Sequence, residues 1–149
     1  MNEVKNILVP VDFSDNSEKI LKSAIYVAKK FEARLTVIFV AQSFFEDHSD
    51  FFVPHVPIVE IEQDIFKSSQ KKLASFIDEC MDKTIPHDSK VLTGDVAAEI
   101  LDFAEEEKMN LIVMGTHGYK GLDKLLFGSV AEKVVKMAPC PVLTINPYK

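Results

Sequence analysis

Four of the chain's five glycines lie in one stretch, GTHGYKGLDKLLFGSV (residues 115–130). Two residues separate Gly115 from Gly118, nine separate Gly118 from Gly128, and Ser129 follows directly. Glycine tolerates positive φ and lets backbone amides approach a ligand with no Cβ in the way. Gly128 and Ser129 also open a predicted helix, whose first amides lack partners and carry about half a positive charge. The cluster therefore has the parts of a cradle for phosphate.

An ordinary helix start would use the same atoms differently. Ser129 and Glu132 match a capping box, which would occupy the serine hydroxyl and the first amides locally. The stretch is not a Walker loop, because no Gly-Lys-Ser/Thr occurs and Lys120 and Lys124 lie within the loop. It is not a GxGxxG motif either. On the residues alone, phosphate binding and helix capping both stay open.

Asp12 is a second candidate, because it directly follows the apolar run at residues 7–11. A carboxylate at a strand end either binds a ligand or caps the following turn. Asp15, with Glu18 three residues later, matches a capping box and is the better-placed cap. We therefore predict that Asp12 is available to a ligand, and that Ser17 is a helix-start residue.

Histidine and cysteine give no metal or catalytic pattern. The four histidines lack the i, i+4 helical spacing and the cysteine companions of a metal site, and Cys80 and Cys140 form no redox motif. We expect no metal held by protein side chains. His117, between the clustered glycines, is either a donor to a phosphate or a solvent-exposed loop side chain.

These residues must be positioned by an alternation of strands and helices. Short β-branched apolar runs predict strands, and apolar residues at helical spacing predict helices. Continuous hydrophobicity is typical of strands covered on both faces. The predicted strands are residues 7–11, 33–41, 87–94, 110–115 and 141–145; the predicted helices begin after Asp15, span about 58–81, begin after an N-cap at Asp95, and begin at Ser129.

The order βαβαβαβαβ predicts one α/β domain over residues 1–149, a doubly wound parallel sheet with helices on both faces. In such folds ligands bind beyond the carboxyl ends of the strands, where the strand order reverses. Asp12, Gly94 and Gly115 all stand at such ends. The sequence thus gathers its unusual residues along one edge of the sheet.

The stretch before the second helix is expected to be irregular, whereas the helix itself has a regular apolar pattern. Residues 42–57 contain four phenylalanines and two prolines without a consistent period, which predicts a long loop. The helix that follows has apolar residues expected to face inward: Ile61, Ile65, Leu73, Phe76, Ile77 and Cys80.

Composition excludes some function classes. The net charge of −6 and a pI near 5.2 provide no overall positive field to attract nucleic acid. No apolar run approaches the ~20 residues of a membrane helix, and the charged start MNEVKN is unlike a signal peptide. We therefore expect a cytoplasmic protein that binds neither nucleic acid nor membrane.

The glycine spacing, Gly-2x-Gly-9x-Gly-Ser, resembles the nucleotide-binding signature of the universal stress protein family, in its ATP-binding branch. ILVPVDFS is similar to the family's first strand with its aspartate, and LIVMGTHGYKGLDKLLFGSVAEKVVKMAPCPVLTI is similar to its C-terminal half. The resemblance covers essentially the whole chain. It implies an adenine nucleotide alpha hydrolase-like fold, with five parallel strands in the order 3-2-1-4-5 and ATP at the carboxyl edge.

The resemblance also implies a set of binding residues. Asp12 would hydrogen-bond the nucleoside, Val40 would lie near the adenine at the end of the second strand, and Gly94 would let the sugar come close. Mg²⁺ or Mn²⁺ would be held through the phosphates of ATP, ADP or AMP. The full implied set is Pro10, Val11, Asp12, Val40, Gly94, Met114, Gly115, Thr116, His117, Gly118, Gly128, Ser129 and Val130.

The function implied is that of a nucleotide-dependent sensor or regulator of the stress response, with at most slow ATP hydrolysis. No residue stands out as an in-line base, and the sole arginine, Arg34, begins the second strand, away from the phosphate edge. The family often dimerises through the last strand, so we expect a homodimer through Val142–Ile145. An exposed apolar edge strand also favours a partner.

Three alternatives stay open. An ATP-pyrophosphatase or nucleotidyltransferase would need an SGGxDS loop or an HxGH pair, but the first strand is followed by DFSDNS. A phospho-receiver domain would need an acidic neighbour beside Asp12 and a lysine after the last strand, where Asn146 and Pro147 stand instead. A dimeric stress protein that binds no nucleotide is the third alternative.

Overall fold

The structure, a computed structural model, describes residues 3–42, 58–117 and 128–149. The strands are β1 (Asn6–Val11), β2 (Arg34–Gln42), β3 (His87–Gly94), β4 (Leu111–Gly115) and β5 (Val142–Ile145). The helices are α1 (Asn16–Phe31), α2 (Ile58–Cys80), α3 (Val96–Glu106) and α4 (Ser129–Met137). This is the predicted alternation, and the predicted bounds of the elements differ from it by one or two residues.

All the strands are parallel and lie in the order β3-β2-β1-β4-β5. The predicted doubly wound α/β sheet and its strand order are confirmed. β1 is central, and the chain builds the sheet outward on one side with β2 and β3 and on the other with β4 and β5. Such an order puts a topological switch point between β1 and β4.

The core consists of two apolar clusters, one on each face of the sheet. Successive residues of a strand point to opposite faces, so Val9 belongs to the cluster that includes α1 and α2 residues. Leu8 belongs to the cluster that includes α3 and α4 residues. Both side chains are fully buried. This two-sided burial explains the continuous hydrophobic runs of the inner strands.

The amino ends of β1 and β4 are joined by Asn110. Its Oδ1 accepts hydrogen bonds from the amides of Lys5 (2.9 Å) and Asn6 (2.8 Å), and its own amide donates to the Asn6 carbonyl (2.8 Å). One side chain therefore fixes the register of the two central strands at the end opposite the predicted site.

Part of the prediction for α2 is wrong. Leu73 is buried and Phe76, Ile77 and Cys80 pack against the core, but Ile61 and Ile65 are each 39% exposed. A helix of 23 residues is about 35 Å long, whereas the adjacent eight-residue strand β3 spans only about 26 Å. The first turns of α2 therefore extend beyond the sheet that would have buried them.

The cap predicted for α3 is confirmed, and the cap predicted for α1 is wrong. Asp95 caps α3 as predicted, because its Oδ2 accepts from the amide of Ala98 at 3.0 Å. Asp15 occupies the N-cap position of α1 in an αR conformation and makes no capping hydrogen bond with its side chain, so the predicted capping box is wrong.

Among the helices of the described ranges, none is both long enough and apolar enough to cross a bilayer.

Asp82, in the turn between α2 and β3, links that turn to α1. Its Oδ2 lies 2.6 Å from the Lys29 Nζ, and its Oδ1 accepts from the hydroxyl (2.6 Å) and the amide (2.9 Å) of Thr84. The Lys29 ammonium and then the two Thr84 donors hold the pKa of the Asp82 carboxyl well below its ordinary value of 3.8.

We predict that the contacts of Asp82 stabilise the protein at neutral pH and that acid removes this stabilisation. Because the folded-state pKa is depressed, the contribution of Asp82 is complete above its unfolded pKa and is lost as pH falls through the folded value. The stability difference between the unsubstituted chain and Asp82→Asn should therefore stay constant from pH 7 to about 5 and shrink below about 4. Urea unfolding at pH 7, 5 and 3 measures it.

Glu18→Gln serves as the control for this prediction. It breaks an exposed pair with Lys22 (3.0 Å), which should change stability little at any of these pH values. An Asp82→Asn difference that is the same at pH 3 and pH 7 would contradict the prediction.

Candidate functional site

The central feature of the carboxyl edge is a gap between β1 and β4. The two strands are paired at Ile7↔Leu111 and Leu8↔Ile112, and among the described residues the ladder stops there. β1 nevertheless continues to Val11 and β4 to Gly115. The backbone groups that would bond across the sheet in this half are instead directed at the gap.

The chain widens this gap by leaving it in opposite directions. α1, which follows β1, covers the face of the sheet that also carries α2, whereas α4, which follows β4, covers the other face. A crevice at such a switch point is where open α/β sheets bind ligands. Pro10, Val11, Met114 and Gly115, all predicted site residues, form the two strand ends that border it.

Asp12 is held in a fixed orientation at the end of β1. Its Oδ1 accepts from the Ser14 amide (3.0 Å) and from the Ser17 hydroxyl (3.0 Å), and the Asp12 amide donates to the same hydroxyl (3.3 Å). Ser17 is buried, at 1% exposure. The Asp12 carboxylate thus caps the turn that leads into α1, and neither of these bonds comes from a backbone amide of the helix itself. Within the described residues, the hydrogen bonds of the carboxylate leave its second oxygen, Oδ2, for another donor.

The turn after Asp12 is strained. Phe13 has φ = 61°, a left-handed conformation that bulky residues rarely adopt. Its ring is held by stacking on Phe39, with the ring centroids 4.4 Å apart, and by an edge contact with Phe76 at 6.2 Å. Strain of this kind is concentrated at functional sites, where the surroundings enforce it. Here it directs the chain sharply away from the gap immediately after the aspartate.

One side of the crevice has an apolar wall. Val40, Met114 and Val130 belong to the same cluster on the α3 and α4 face, so the structure brings these predicted residues together. Val11 belongs to the opposite cluster, on the α1 and α2 face. β2 ends at Gln42, one residue beyond the predicted bound, so Val40 lies near its carboxyl end.

Gly94 has a structural reason to be glycine. Its φ is +139°, which side chains disfavour, and an added Cβ would lie 2.7 Å from Oε1 of Glu99. The Glu99 carboxylate, in the first turn of α3, therefore takes the space that a side chain at position 94 would need.

Packing against α1 favours glycine at position 115. A Cβ there would lie 2.5 Å from Cδ1 of Ile20, a buried residue of α1. The missing side chain lets α1 approach the end of β4 closely.

Gly128 is different from both. Its φ of −58° and ψ of 156° are open to any residue, and among the described atoms an added Cβ would meet only the Thr116 carbonyl, at an ordinary 3.5 Å. Neither backbone strain nor packing within the described chain requires glycine at this position. Among the described residues, the space beside Gly128 is therefore open.

Thr116 ties the parts of this edge together. Its amide donates to the Ile145 carbonyl at the end of β5 (2.9 Å), and its carbonyl accepts from the amide of Gly128 (2.8 Å). The second bond joins the two ends of the intervening segment, residues 118–127, which includes Gly118 and lies outside the described residues. The start of α4 is thereby fixed to the end of β4.

The first turn of α4 is not the predicted capping box. The N-cap is Gly128, Ser129 is the first helical residue, and Glu132 pairs with Lys136 (2.8 Å) instead of reaching back. The first backbone bond within the helix is from the Glu132 amide to the Gly128 carbonyl (3.0 Å). The amides of Ser129, Val130 and Ala131 therefore precede the helical ladder, at the positive end of the helix dipole.

His117 is not the exposed loop residue that one interpretation predicted. It is 8% exposed, its Nδ1 lies 2.7 Å from Oγ1 of Thr116, and its ring makes an edge contact with Tyr148, with centroids 5.1 Å apart. It lies two residues after Gly115, at the carboxyl end of β4.

The described charged groups supply neither a metal cluster nor an arginine at the carboxyl edge. Within the described ranges, no group of three or more His, Cys, Asp or Glu residues could hold a metal ion. Arg34 lies at the amino end of β2, where it pairs with Asp88, and is far from the carboxyl edge, as the sequence predicted.

Sequence reasoning missed several residues that shape this site. Phe13 and Glu99 carry no motif, and their roles arise from backbone geometry and from contacts across the fold. Tyr148 reaches His117 over a long sequence separation. Ser17 lies five residues after Asp12, and only its burial shows that it orients the carboxylate rather than simply starting a helix.

Comparison with known proteins agrees with this architecture. The model of the family described as the universal stress protein family matches residues 3–146. Universal stress protein MJ0531 of Methanocaldococcus jannaschii is 37% identical over 150 residues, which cover 99% of this chain and 85% of the relative.

Two solved structures have the same fold. The structure of MJ0577, from the same archaeon, superposes with a TM-score of 0.78 at 27% identity and 97% coverage of both chains. The universal stress protein of Archaeoglobus fulgidus in complex with dAMP superposes with a TM-score of 0.67 at 22% identity, covering 97% of this chain and 100% of that one.

The contact between Gly115 and Ile20 yields a two-substitution prediction. Gly115→Ala should destabilise the protein by about 1–3 kcal/mol, because the new methyl overlaps Cδ1 of Ile20. Ile20→Val removes that atom and should itself cost about 0.5–1.5 kcal/mol. The double variant should therefore be more stable than the sum of the single effects implies.

Chemical denaturation of the four proteins measures this coupling. Strictly additive free energies would show that Gly115 is not held to glycine by α1.

Proposed function

This chain belongs to the universal stress protein family. We therefore propose that it binds an adenine nucleotide in the crevice between β1 and β4, with ATP as the first candidate. The adenosine would lie against Val40 and Met114, near the fixed carboxylate of Asp12. The phosphates would lie at the start of α4, on the amides that follow Gly128 and beside Gly118. Thr116 and His117 would border them, and the binding domain would span residues 1–149.

The observation that carries this proposal is the state of Gly128 and the helix it caps. Glycine there is demanded by neither conformation nor described packing, and the three amides after it precede the helical ladder. A bound phosphate accounts for both features, since it needs an unobstructed approach and satisfies helix-terminal amides. The dAMP complex of the A. fulgidus protein supports an adenine nucleotide as the ligand of this fold.

A divalent ion would accompany ATP without a protein cage. Mg²⁺ or Mn²⁺ would bind through phosphate oxygens and water, which is the usual habit of Mg²⁺. This fits the described residues, whose acidic and histidine side chains form no cluster of three.

The proposed role is that of a nucleotide-dependent sensor or regulator rather than a fast enzyme. Phosphoryl transfer is accelerated by groups such as an arginine finger and a residue that orients the attacking water. The sole arginine, Arg34, is engaged by Asp88 at the opposite end of the sheet. Hydrolysis would therefore be slow. We place the protein in the cytoplasm, a location supported by the free thiols of Cys80 and Cys140.

Nucleotide binding is tested by titration calorimetry with ATP and Mg²⁺. Gly128→Ala should lower ATP affinity at least about tenfold, equivalent to about 1.4 kcal/mol, because the methyl enters the phosphate space. Its stability should fall by less than about 1 kcal/mol, since the backbone conformation at this N-cap accepts alanine.

Val135→Ala, on the same helix but outside its first turn and 46% exposed, is the matched control and should bind as the unsubstituted chain does. Absence of heat with the unsubstituted chain at high micromolar ATP would refute the proposed function. Unchanged affinity in Gly128→Ala would refute the assigned phosphate position alone.

The two edges of the sheet favour assembly through β5. The edge strand β3 exposes Asp88, Ser89 and Lys90, and such polar edges resist pairing. β5 has the sequence VLTI, with Leu143 38% exposed. We propose a homodimer in which β5 strands of two copies meet.

Sedimentation at micromolar concentration should therefore give twice the chain mass. Leu143→Lys should shift the protein to monomers, because lysine on an edge strand opposes pairing. Ser89→Lys on the opposite edge is the control and should leave the dimer intact. A monomeric unsubstituted chain would contradict the proposed assembly.

A further inference from the structure

The segment after β5, residues 146–149, lies beside the candidate phosphate site. It begins where β5 ends, at Ile145, whose carbonyl accepts the Thr116 amide. The segment is folded on itself, because the Asn146 side chain accepts from the Tyr148 amide (3.0 Å) and the Asn146 carbonyl from the Lys149 amide (3.3 Å). These bonds hold Tyr148 at a defined distance from the end of the sheet.

Separate contacts attach the segment to the rest of the protein. Nζ of Lys19, on α1, donates to the carbonyl of Pro147 (3.0 Å), and the ring of Tyr148 makes its edge contact with His117. A groove of about 440 Å³ lies among Lys19, Ser23 and residues 145–149. Tyr148 lines this groove and makes the described ring contact of the segment with His117.

A continuous path runs from this ring to the start of α4. The Tyr148 ring packs on His117, whose Nδ1 is hydrogen-bonded to the Thr116 hydroxyl. That hydroxyl also donates to the Ile145 carbonyl at 3.4 Å, and the Thr116 carbonyl accepts the Gly128 amide. The two side-chain bonds are compatible when Nδ1 donates to the hydroxyl and the hydroxyl donates to Ile145. Gly128 in turn caps the helix whose amides face the proposed phosphates.

We infer that Tyr148 is a positioning residue for phosphate binding, acting through His117 and Thr116 on the N-terminus of α4. This rests on the proposed nucleotide function and adds to it a residue after the last strand that touches no phosphate itself. Its effect is confined to the phosphate end of the crevice, because Asp12 and Val40 are held by other contacts, with Ser17 and with the α3 and α4 cluster.

The test compares adenosine with ATP. In Tyr148→Ala the loss of an aromatic contact should weaken ATP binding roughly three- to tenfold, while adenosine affinity stays unchanged. Tyr148→Phe keeps the ring and should restore ATP binding. Tyr26→Ala removes a comparably exposed tyrosine of α1 and is the matched control. Calorimetry measures all four proteins. Equal losses for ATP and adenosine, or unchanged ATP affinity in Tyr148→Ala, would overturn the inference.

A second measurement needs no nucleotide. Amide hydrogen exchange of the ligand-free protein should be faster at Thr116 and Gly128 in Tyr148→Ala than in the unsubstituted chain, and normal in Tyr148→Phe. If the unsubstituted chain fails to bind ATP, the proposed function falls. Faster exchange at those two amides would then still support the path from Tyr148 to α4, and unchanged exchange would overturn it.

Discussion

The gap between the carboxyl halves of β1 and β4 is the constraint on which the rest of this site depends. A parallel sheet is stabilised by continuous ladders, yet here the ladder between its two central strands stops after Leu8↔Ile112. The protein compensates at the other end, where Asn110 joins the same strands with side-chain and backbone bonds. The sheet is thus closed firmly at its amino edge and left open at its carboxyl edge, where a ligand can take the place of the missing ladder.

An open crevice is useful only when its walls are rigid, and few bonds provide that rigidity. On the β1 side, buried Ser17 fixes the Asp12 carboxylate, and aromatic contacts hold Phe13 in its left-handed conformation. On the β4 side, the peptide groups of Thr116 connect β5 to the start of α4. These bonds are made before any ligand arrives, so binding would cost little further ordering of the described walls.

The glycines show that the same residue type can be favoured at different positions for different physical reasons. In the sequence they form one cluster with a separate member at position 94, and all invite the same explanation. In the structure a positive φ favours glycine at position 94, and the Ile20 side chain favours it at position 115. Neither factor applies to Gly128. The proposed phosphate position therefore depends on Gly128, and Gly94 and Gly115 shape the fold around the crevice. Asp12 shows the converse, because its turn-capping and ligand roles are compatible once its oxygens are considered separately.

The alternation of elements, the parallel sheet and the edge that carries the unusual residues were all predictable from the sequence. Those features depend on local periodicity and on the burial of strands such as residues 7–11. Both can be read from residues that are close together in the chain. The strand order required the family resemblance, since no local pattern states which strands are neighbours. The exposure of Ile61 and Ile65, the N-cap at Gly128 and the contact of Tyr148 with His117 were decided only by tertiary structure. Each depends on how far one element extends past another, and such distances are set by packing across the whole fold.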